Sequence, residues 1–219
     1  MNADATRQHL KKQRRDRERD LCRQDILSAA ERVFSAAGFE AATMEAIAVE
    51  AGFSVGSLYN FFANKDDICR NVIEDIFGEM AARLAPLDAP DGSDDALRAF
   101  VRIRMEDIER HRGFFKMLVA GGLSCSKDPG NVPIHAQFVR FHTALITRLA
   151  EVIAALKSGD DAGGEDPVIV ALAVDGFVLA ASRYWSNQDP SAPLCDKLPI
   201  IERMALRIAG ASGGQATRP

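Results

Sequence analysis

The chain has 219 residues, a formal net charge of −4 and a hydrophobic fraction of 47%. This composition is typical of a folded protein and too apolar for a disordered one, and the length suits one or two domains. The mild acidity argues at first against a nucleic-acid-binding protein, because such proteins are usually basic.

The cysteines and the apolar runs bear on where the protein works. The four cysteines are far apart and form no Cys-x-x-Cys pair, so we expect reduced thiols rather than disulfides or a zinc site. The longest apolar run, 168–182, is interrupted by Asp175 and Gly176 and is shorter than the roughly 20 residues of a membrane span. We therefore expect a cytoplasmic protein without a membrane span.

The first 22 residues are polar and basic. They hold seven Lys or Arg against four Asp or Glu, which gives this segment a net charge of +3. Because it has almost no apolar side chains, it cannot pack into a core and does not form a signal peptide. We expect a flexible basic arm or a frayed helix over 1–22.

Helical periodicity dominates the rest of the chain and strand signals are nearly absent, which predicts an all-α fold of about nine helices. Gly38 and Gly52 are expected to end the first two helices. Polar N-cap residues precede the second, third and fourth helices: Thr43, Ser54 and Asn64. The predicted helices cover about 23–37, 44–51, 55–62, 65–84, 93–110, 113–123, 133–157, 167–186 and 196–209.

The second and third helices have the spacing of a helix-turn-helix. Ala48 provides the small side chain that a close helix crossing needs, and Gly52 allows the left-handed backbone of the tight turn. The second helix of such a pair enters the major groove of DNA. An ordinary corner between two helices could also carry these two residues. The apolar residues predicted to form the seam are Ile47, Phe53, Val55 and Leu58.

The composition of the third helix favours the DNA-binding interpretation. Gly56 and Ser57 have little or no side chain, so the backbone could approach a phosphate or a base edge. Tyr59 and Asn60 lie off the apolar face and could offer a phenol to phosphate and an amide to a base. Lys65 begins the next helix, where its charge would lie beside amides that favour phosphate.

The stretch 26–68 also contains Ala-Gly-Phe after the first helix and the strings IAVEAG, GSLYNFF and NKDDI. In these features it closely resembles the TetR family of bacterial transcriptional regulators. The resemblance implies that DNA is contacted by Thr43, Ser57, Tyr59, Asn60 and Lys65, to which Ser54 and Gly56 are added as cap and close-approach position. Phe61 departs from the histidine or tyrosine common in the family and offers no hydrogen bond to a phosphate.

The resemblance and the element pattern together give an expected function. We expect a homodimeric regulator that binds a palindromic operator, a repressor that a small-molecule effector releases. The chain holds no nucleophile-elbow, zinc-protease or P-loop string, so we predict no enzyme, cofactor or metal. The alternative is a helical small-molecule-binding protein or enzyme with a degenerate helix-turn-helix. The expected parts are a flexible arm (1–22), a DNA-binding domain (23–68), an effector-binding and dimerisation domain (69–209) and a disordered tail (210–219).

The larger domain is expected to hold an apolar effector pocket among its helices. Most of its aromatic residues should be plain core, while Arg104, His142 and Asp175 could be polar anchors for a ligand. The candidate pocket residues are Phe100, Arg104, Phe114, Phe138, Phe141, His142, Phe177 and Trp185.

The last two helices are apolar over more than one face, which favours a two-fold, four-helix dimer interface over a monomeric bundle. Small residues on the first of them would allow close helix approach. The candidate interface residues are Val168, Leu172, Gly176, Leu179, Leu198, Ile201, Ala205 and Ile208.

The position of the charges removes the initial objection to DNA binding. Residues 1–70 have no net charge, and residues 71–219 carry the whole −4. The cations of the first part are concentrated before the first core helix and at Lys65. Binding is therefore expected to depend on contacts of the third helix more than on bulk charge.

Overall fold

A computed structural model describes residues 3–87, 93–120, 134–156, 165–189 and 191–210. Within these residues the fold is all-α, as predicted, with nine α-helices, no strands and 3₁₀ turns at Ala85–Leu87 and Leu194–Lys197. The predicted disordered tail lies almost wholly outside the described residues. The helices are α1 Ala3–Ala37, α2 Met44–Ala51, α3 Val55–Tyr59, α4 Lys65–Leu84, α5 Asp94–Arg110, α6 Arg112–Ala120, α7 Ile134–Leu156, α8 Pro167–Gln188 and α9 Leu198–Ile208.

Helix α1 begins at Ala3 and is 35 residues long, so of the two expectations for the basic segment the structure has the helix and not the flexible arm. The part of α1 before Arg23, called the extension, has no glycine or proline and is rich in Arg, Lys and Gln, which are good helix formers. Side chains one turn apart also pair along it, since Arg14 Nε donates to Glu18 Oε1 at 2.8 Å. The lack of apolar side chains means only that this segment does not pack against a core. A helix can form without such packing, so the composition did not exclude one.

The predicted caps of the next three helices are confirmed. Thr43 Oγ1 and Ser54 Oγ each accept a hydrogen bond from the amide three residues on, both at 3.1 Å. At α4, Asn64 Oδ1 accepts from the Asp67 amide at 2.8 Å, and Asp67 Oδ2 accepts from the Ala63 amide at 2.9 Å. Such pairs satisfy amides that have no partner within the helix. Helix α3 is shorter than expected because it ends at Tyr59 rather than at residue 62.

The chain divides into two compact units. The first comprises 1–75 and 113–134, and the second comprises 76–112 and 135–219. The expected boundary after residue 68 therefore lies about two helical turns too early, and α4 continues across the division.

The first unit buries apolar side chains from α1, α2, α3 and the beginning of α4. Ala48 is almost fully buried, as expected for the small residue between the two helices of the helix-turn-helix. Its buried apolar residues include Ile26, Ala30, Phe34, Ile47, Ala48, Leu58, Ile68 and Val72.

Gly52 ends α2 in the left-handed conformation, with φ of 74°, and a Cβ there would meet no atom within 4 Å. Replacement by alanine should therefore cost backbone strain alone, about 1–2 kcal/mol in the free energy of unfolding. Gly78 is the matched control, since it is exposed within α4 and a Cβ there also meets nothing. Gly78→Ala should increase stability by about 0.5–1 kcal/mol. Urea unfolding of both variants checks this, and changes of the same sign would contradict it.

In the second unit, α5, α7, α8 and α9 surround one hydrophobic core. One side of α8 enters this core, while its other side is exposed. Among the described helices, α8 is also the one long and apolar enough to cross a membrane by length and composition, a test that core helices also pass. The core includes Leu97, Phe100, Met105, Leu149, Ile153, Val170, Val174, Val178, Ile201 and Ala205.

Candidate nucleic-acid interface and effector site

The exposed side of α3 carries residues that were predicted to face DNA. The Tyr59 side chain is 56% exposed, and Gly56 and Asn60 are also exposed. A Cβ at Gly56 would meet only Ser54 Oγ, at 3.9 Å, so the α3 backbone is open to close approach. Leu58, on the opposite side of α3, is fully buried. Its packing orients the short helix so that Gly56, Tyr59 and Asn60 face solvent.

The hydroxyl groups at the start of α3 hold the helix and leave one donor. Ser54 Oγ and Ser57 Oγ are 2.8 Å apart and share one hydrogen, while Ser54 Oγ also accepts from the Ser57 amide. One of the two hydroxyl hydrogens is therefore left to donate to a phosphate oxygen. Thr43 Oγ1 similarly has its hydrogen left while it caps α2.

Lys65 occupies a different position from the predicted phosphate contact. Its ammonium donates to the carbonyl oxygens of Phe39, Ala42 and Glu40, at 2.7, 2.9 and 3.4 Å. The same Nζ lies 4.4 Å from the centre of the Phe39 ring. Three carbonyls account for all three N–H groups, so the expectation of a free cation for DNA is corrected. Lys65 instead holds the turn between α1 and α2 against the start of α4.

Two arginines of α1 join this helix to the segment around the end of α3, a feature that sequence reasoning missed. Arg19 and Arg23 place their guanidinium carbons 5.8 and 5.3 Å from the ring centres of Phe61 and Phe62. Arg23 Nη2 also donates to Asn71 Oδ1 on α4. The helical spacing of Arg19 and Arg23 could have indicated these contacts, because both arginines continue the buried face of α1 towards its N-terminus.

The second unit brings together the three predicted polar anchors. Arg104 Nε donates to Asp175 Oδ1 at 2.9 Å, and His142 Nε2 lies 3.4 Å from Asp175 Oδ2. Arg104 is only 4% exposed, and its Nη1 is buried with no hydrogen-bond partner in the described part of the chain. Burial alone would raise the pKa of Asp175, but hydrogen bonds from His142 and Arg104 and the charge of Arg104 hold it below its usual value.

Aromatic rings lie beside this polar cluster. The rings of Phe138 and His142 are stacked with centres 5.7 Å apart, and those of Phe77 and Phe141 are stacked at 4.5 Å. Phe77 was not among the predicted pocket residues, although its centre also lies 6.2 Å from that of Phe138. The ring of Phe138 thus stacks on His142, whose other contact is the Asp175 carboxylate that also binds Arg104.

The other predicted pocket residues are elsewhere. Phe100 is fully buried in the core of the second unit, so its side chain has no free surface for a ligand. Phe114 belongs to the first unit and is therefore not part of the polar cluster in the second. Phe177 and Trp185 are half-buried against the core, and Lys197 Nζ lies 5.9 Å from the Trp185 ring centre.

The predicted dimer residues divide into three groups. Val168, Leu172, Gly176 and Leu179 are exposed on one side of α8, where a second chain could cover them. Ile201 and Ala205 are fully buried in the core of their own subunit, so their assignment to the interface is corrected. Leu198 and Ile208 are half-buried against that core. The exposed side of α8 also includes two residues that the sequence interpretation missed, Ile169 and Tyr184.

Known proteins match this chain in two ways. The model of the bacterial regulatory proteins of the tetR family matches residues 26–72. The uncharacterized HTH-type transcriptional regulator YfiR of Bacillus subtilis (strain 168) is 39% identical over 56 residues, 26% of this chain and 27% of that protein. The match thus spans about a quarter of the length of that relative.

Solved structures match over most of the chain. The fatty acid degradation regulator FadR from Bacillus halodurans is 17% identical, with a TM-score of 0.69 over 90% of this chain and 97% of its own. FadR from Bacillus subtilis in complex with stearoyl-CoA is also 17% identical, with a TM-score of 0.67 and coverage of 83% and 96%. A TetR-like regulator from Rhodococcus sp. RHA1 is 22% identical, with a TM-score of 0.66 and coverage of 88% and 96%. These likenesses show the fold. The family match over 26–72 shows that the helix-turn-helix part of the chain is similar to the bacterial regulatory proteins of the tetR family.

Proposed function

We propose that this protein is a DNA-binding transcriptional regulator whose α3 enters the major groove. The observation that carries the proposal is the exposed side of α3, where Gly56, Tyr59 and Asn60 face outward beside a seryl donor. Groove-facing helices need a backbone that can come close and side chains that hydrogen-bond phosphates and base edges. The helix is short, and its capped start and buried Leu58 support its position.

We further propose that it acts as a homodimer on a palindromic operator in the cytoplasm. The exposed apolar side of α8 supports the dimer, because Ile169 is 65% and Leu172 47% exposed in a single chain. Gly176 lies on the same side, and a Cβ there would meet nothing within 4 Å, which leaves room for close approach of another helix. Two recognition helices related by a two-fold axis bind half-sites about one helical turn, or a multiple, apart.

The proposed effector is a small molecule held in the second unit, whose binding releases the repressor from DNA. The buried Nη1 of Arg104 supports a ligand with a hydrogen-bond acceptor, and the rings of Phe138 and Phe141 support an apolar body beside it. Because FadR of Bacillus subtilis was solved in complex with stearoyl-CoA, acyl-CoA thioesters and fatty acids are the first probes to try. Release requires that the effector bind the DNA-free state more tightly.

Selection of bound duplexes from random DNA tests the regulator against the alternative, a helical ligand-binding protein or enzyme with an inactive helix-turn-helix. We expect one palindromic sequence to be enriched by the wild-type protein. No enrichment at physiological salt would favour the alternative.

On the recovered operator, Tyr59→Ala should weaken binding about 10-fold or more, equivalent to about 1.4 kcal/mol. Tyr59→Phe should lose less if the hydroxyl contacts phosphate and the ring packs on the duplex. Thermal unfolding should be nearly unchanged, because the side chain is mostly exposed. Binding by fluorescence anisotropy measures the effect, and wild-type affinity of Tyr59→Ala would contradict this use of α3.

A further inference from the structure

We propose that the N-terminal extension of α1 is a rigid basic arm that lies against the DNA backbone beyond the operator half-site. The contacts are made by one face of it, the row Lys12, Arg15 and Arg19, called the basic row below. This inference rests on the proposed function of α3 and gives a role in DNA binding to the part of α1 that precedes Arg23.

The basic row lies on the same side of α1 as the buried face of the helix-turn-helix unit. At about 3.6 residues per turn, Lys12, Arg15 and Arg19 continue the series that becomes buried at Ile26 and Ala30. Residues 7–21 are all exposed. This side of the extension therefore remains exposed as it projects past the folded unit, on the side where α2 and α3 lie.

The basic row approaches the end of α3 at Arg19. The Arg19 guanidinium carbon lies 5.8 Å from the centre of the Phe61 ring, and Phe61 follows α3 by two residues. Arg23, one turn further on, is tied to Asn71 Oδ1, which fixes the direction in which the extension leaves the unit. A DNA strand that borders α3 would therefore meet Arg19 first and Arg15 and Lys12 after it.

The cations of the basic row form no ion pair in the part of the chain that the structure describes. Among the ion pairs of the described residues, none involves Lys12, Arg15 or Arg19, whereas Arg14 on another side pairs with Glu18. Successive cations lie about one helical turn apart, a rise of about 5 Å. A row of unpaired cations at this spacing matches a chain of phosphates, which it can contact without reading sequence.

The length and stiffness of the extension define its reach. About 20 residues precede Arg23 in α1, so the extension spans about 30 Å as a helix. A disordered arm would lose conformational entropy on binding DNA, whereas this arm is ordered in advance. DNA is favoured over an acidic protein as the partner because the row is continuous with the end of α3.

Two triple variants of the full-length protein separate a contact face from bulk charge. The first is Lys12→Gln/Arg15→Gln/Arg19→Gln. The control is Arg7→Gln/Arg14→Gln/Arg17→Gln, which removes the same charge from the opposite side of the helix. Both use glutamine, a good helix former, and circular dichroism should show the helix retained.

Each variant is titrated at several salt concentrations with three duplexes. These are the recovered palindrome alone, the palindrome extended by about ten base pairs on each side, and a 40-base-pair duplex of mixed sequence. We expect the affinity of the row variant for the extended duplex to fall about 10-fold or more. The slope of log affinity against log salt concentration should be smaller by about 2–3, because about 0.9 counterions are released per phosphate contact. The control should lose less than about 3-fold, and the advantage of the extended duplex should vanish only in the row variant.

Equal losses in the two variants would overturn the inference, since they would show an effect of net charge alone. So would an equal loss of the row variant on the short and extended palindromes, which would exclude a contact beyond the half-site. Failure of the proposed function is a separate result, namely that wild-type protein enriches no palindrome. In that case the mixed-sequence duplex decides: a lower salt slope in the row variant than in the control supports the inference, and equal slopes refute it.

Discussion

Asp175→Asn should lower the free energy of unfolding by about 3–5 kcal/mol, the largest single effect that we expect in this chain. The exchange preserves shape but leaves the Arg104 guanidinium without a counter-charge, although Arg104 is only 4% exposed. Its Nε donates to Asp175 Oδ1 at 2.9 Å, while its Nη1 has no partner in the described residues that could compensate. Urea unfolding at fixed protein concentration measures the loss, and Asp196→Asn, at an exposed position, is the control.

A double variant distinguishes loss of the pair from loss of half of it. Arg104→Met/Asp175→Leu removes both charges and fills the space with apolar atoms, so it should be much more stable than Asp175→Asn and close to wild type. If the double variant were as unstable as the single one, the uncompensated charge would not be the cause. An Asp175→Asn variant with wild-type stability would contradict the burial argument altogether.

The same pair predicts how acid affects the protein. The pKa of Asp175 is lower in the folded than in the unfolded chain, so the carboxylate contributes stability above its unfolded pKa of about 3.9. That contribution should be constant from pH 7 to about pH 5 and should shrink as the pH falls below about 4 towards the folded pKa. The stability difference between wild type and Asp175→Asn, measured by urea unfolding across this range, should narrow accordingly.

Local signals in the sequence predict most of the DNA-binding unit. Thr43, Ser54 and Gly52 act on backbone groups within a few residues, so their roles follow from spacing alone. The helix-turn-helix and its exposed α3 could therefore be located before the structure was known. The polar anchors Arg104 and Asp175 were also identified, but they are 71 residues apart, and their pairing depends on how α5 and α8 pack.

The errors have physical causes as well. Ile201 and Ala205 have the apolar character of an interface, yet apolar residues at helical spacing also face the core of their own subunit. The basic segment before Arg23 has no hydrophobic period, so its helix depends on intrinsic propensity and pairs within one turn, which periodicity does not measure. Lys65 had the position of a phosphate ligand in sequence, but its long side chain reaches carbonyls more than 20 residues away.

Lys65→Met should weaken DNA binding by destabilising the helix-turn-helix unit rather than by removing a phosphate contact. The ammonium donates to the carbonyls of Phe39, Ala42 and Glu40, and hydrogen bonds from a charged donor contribute about 1.5–3 kcal/mol. Methionine preserves much of the apolar stem but leaves those carbonyls without this donor. We expect a loss of about 2 kcal/mol in the free energy of unfolding. Lys116→Met, at an exposed position of α6, is the control and should change stability little.

Comparison with Tyr59→Ala separates the two roles. Tyr59→Ala should reduce affinity for the operator at unchanged stability, whereas Lys65→Met should shift the unfolding transition. Its affinity should then recover towards wild type at low temperature or in a stabilising osmolyte, where the folded population is restored. If Lys65→Met unfolded like wild type and bound DNA weakly at every temperature, the ammonium would be a phosphate contact after all. Because Lys65 holds the turn before α2, its loss acts on the unit that presents α3, and stability and binding should fall together.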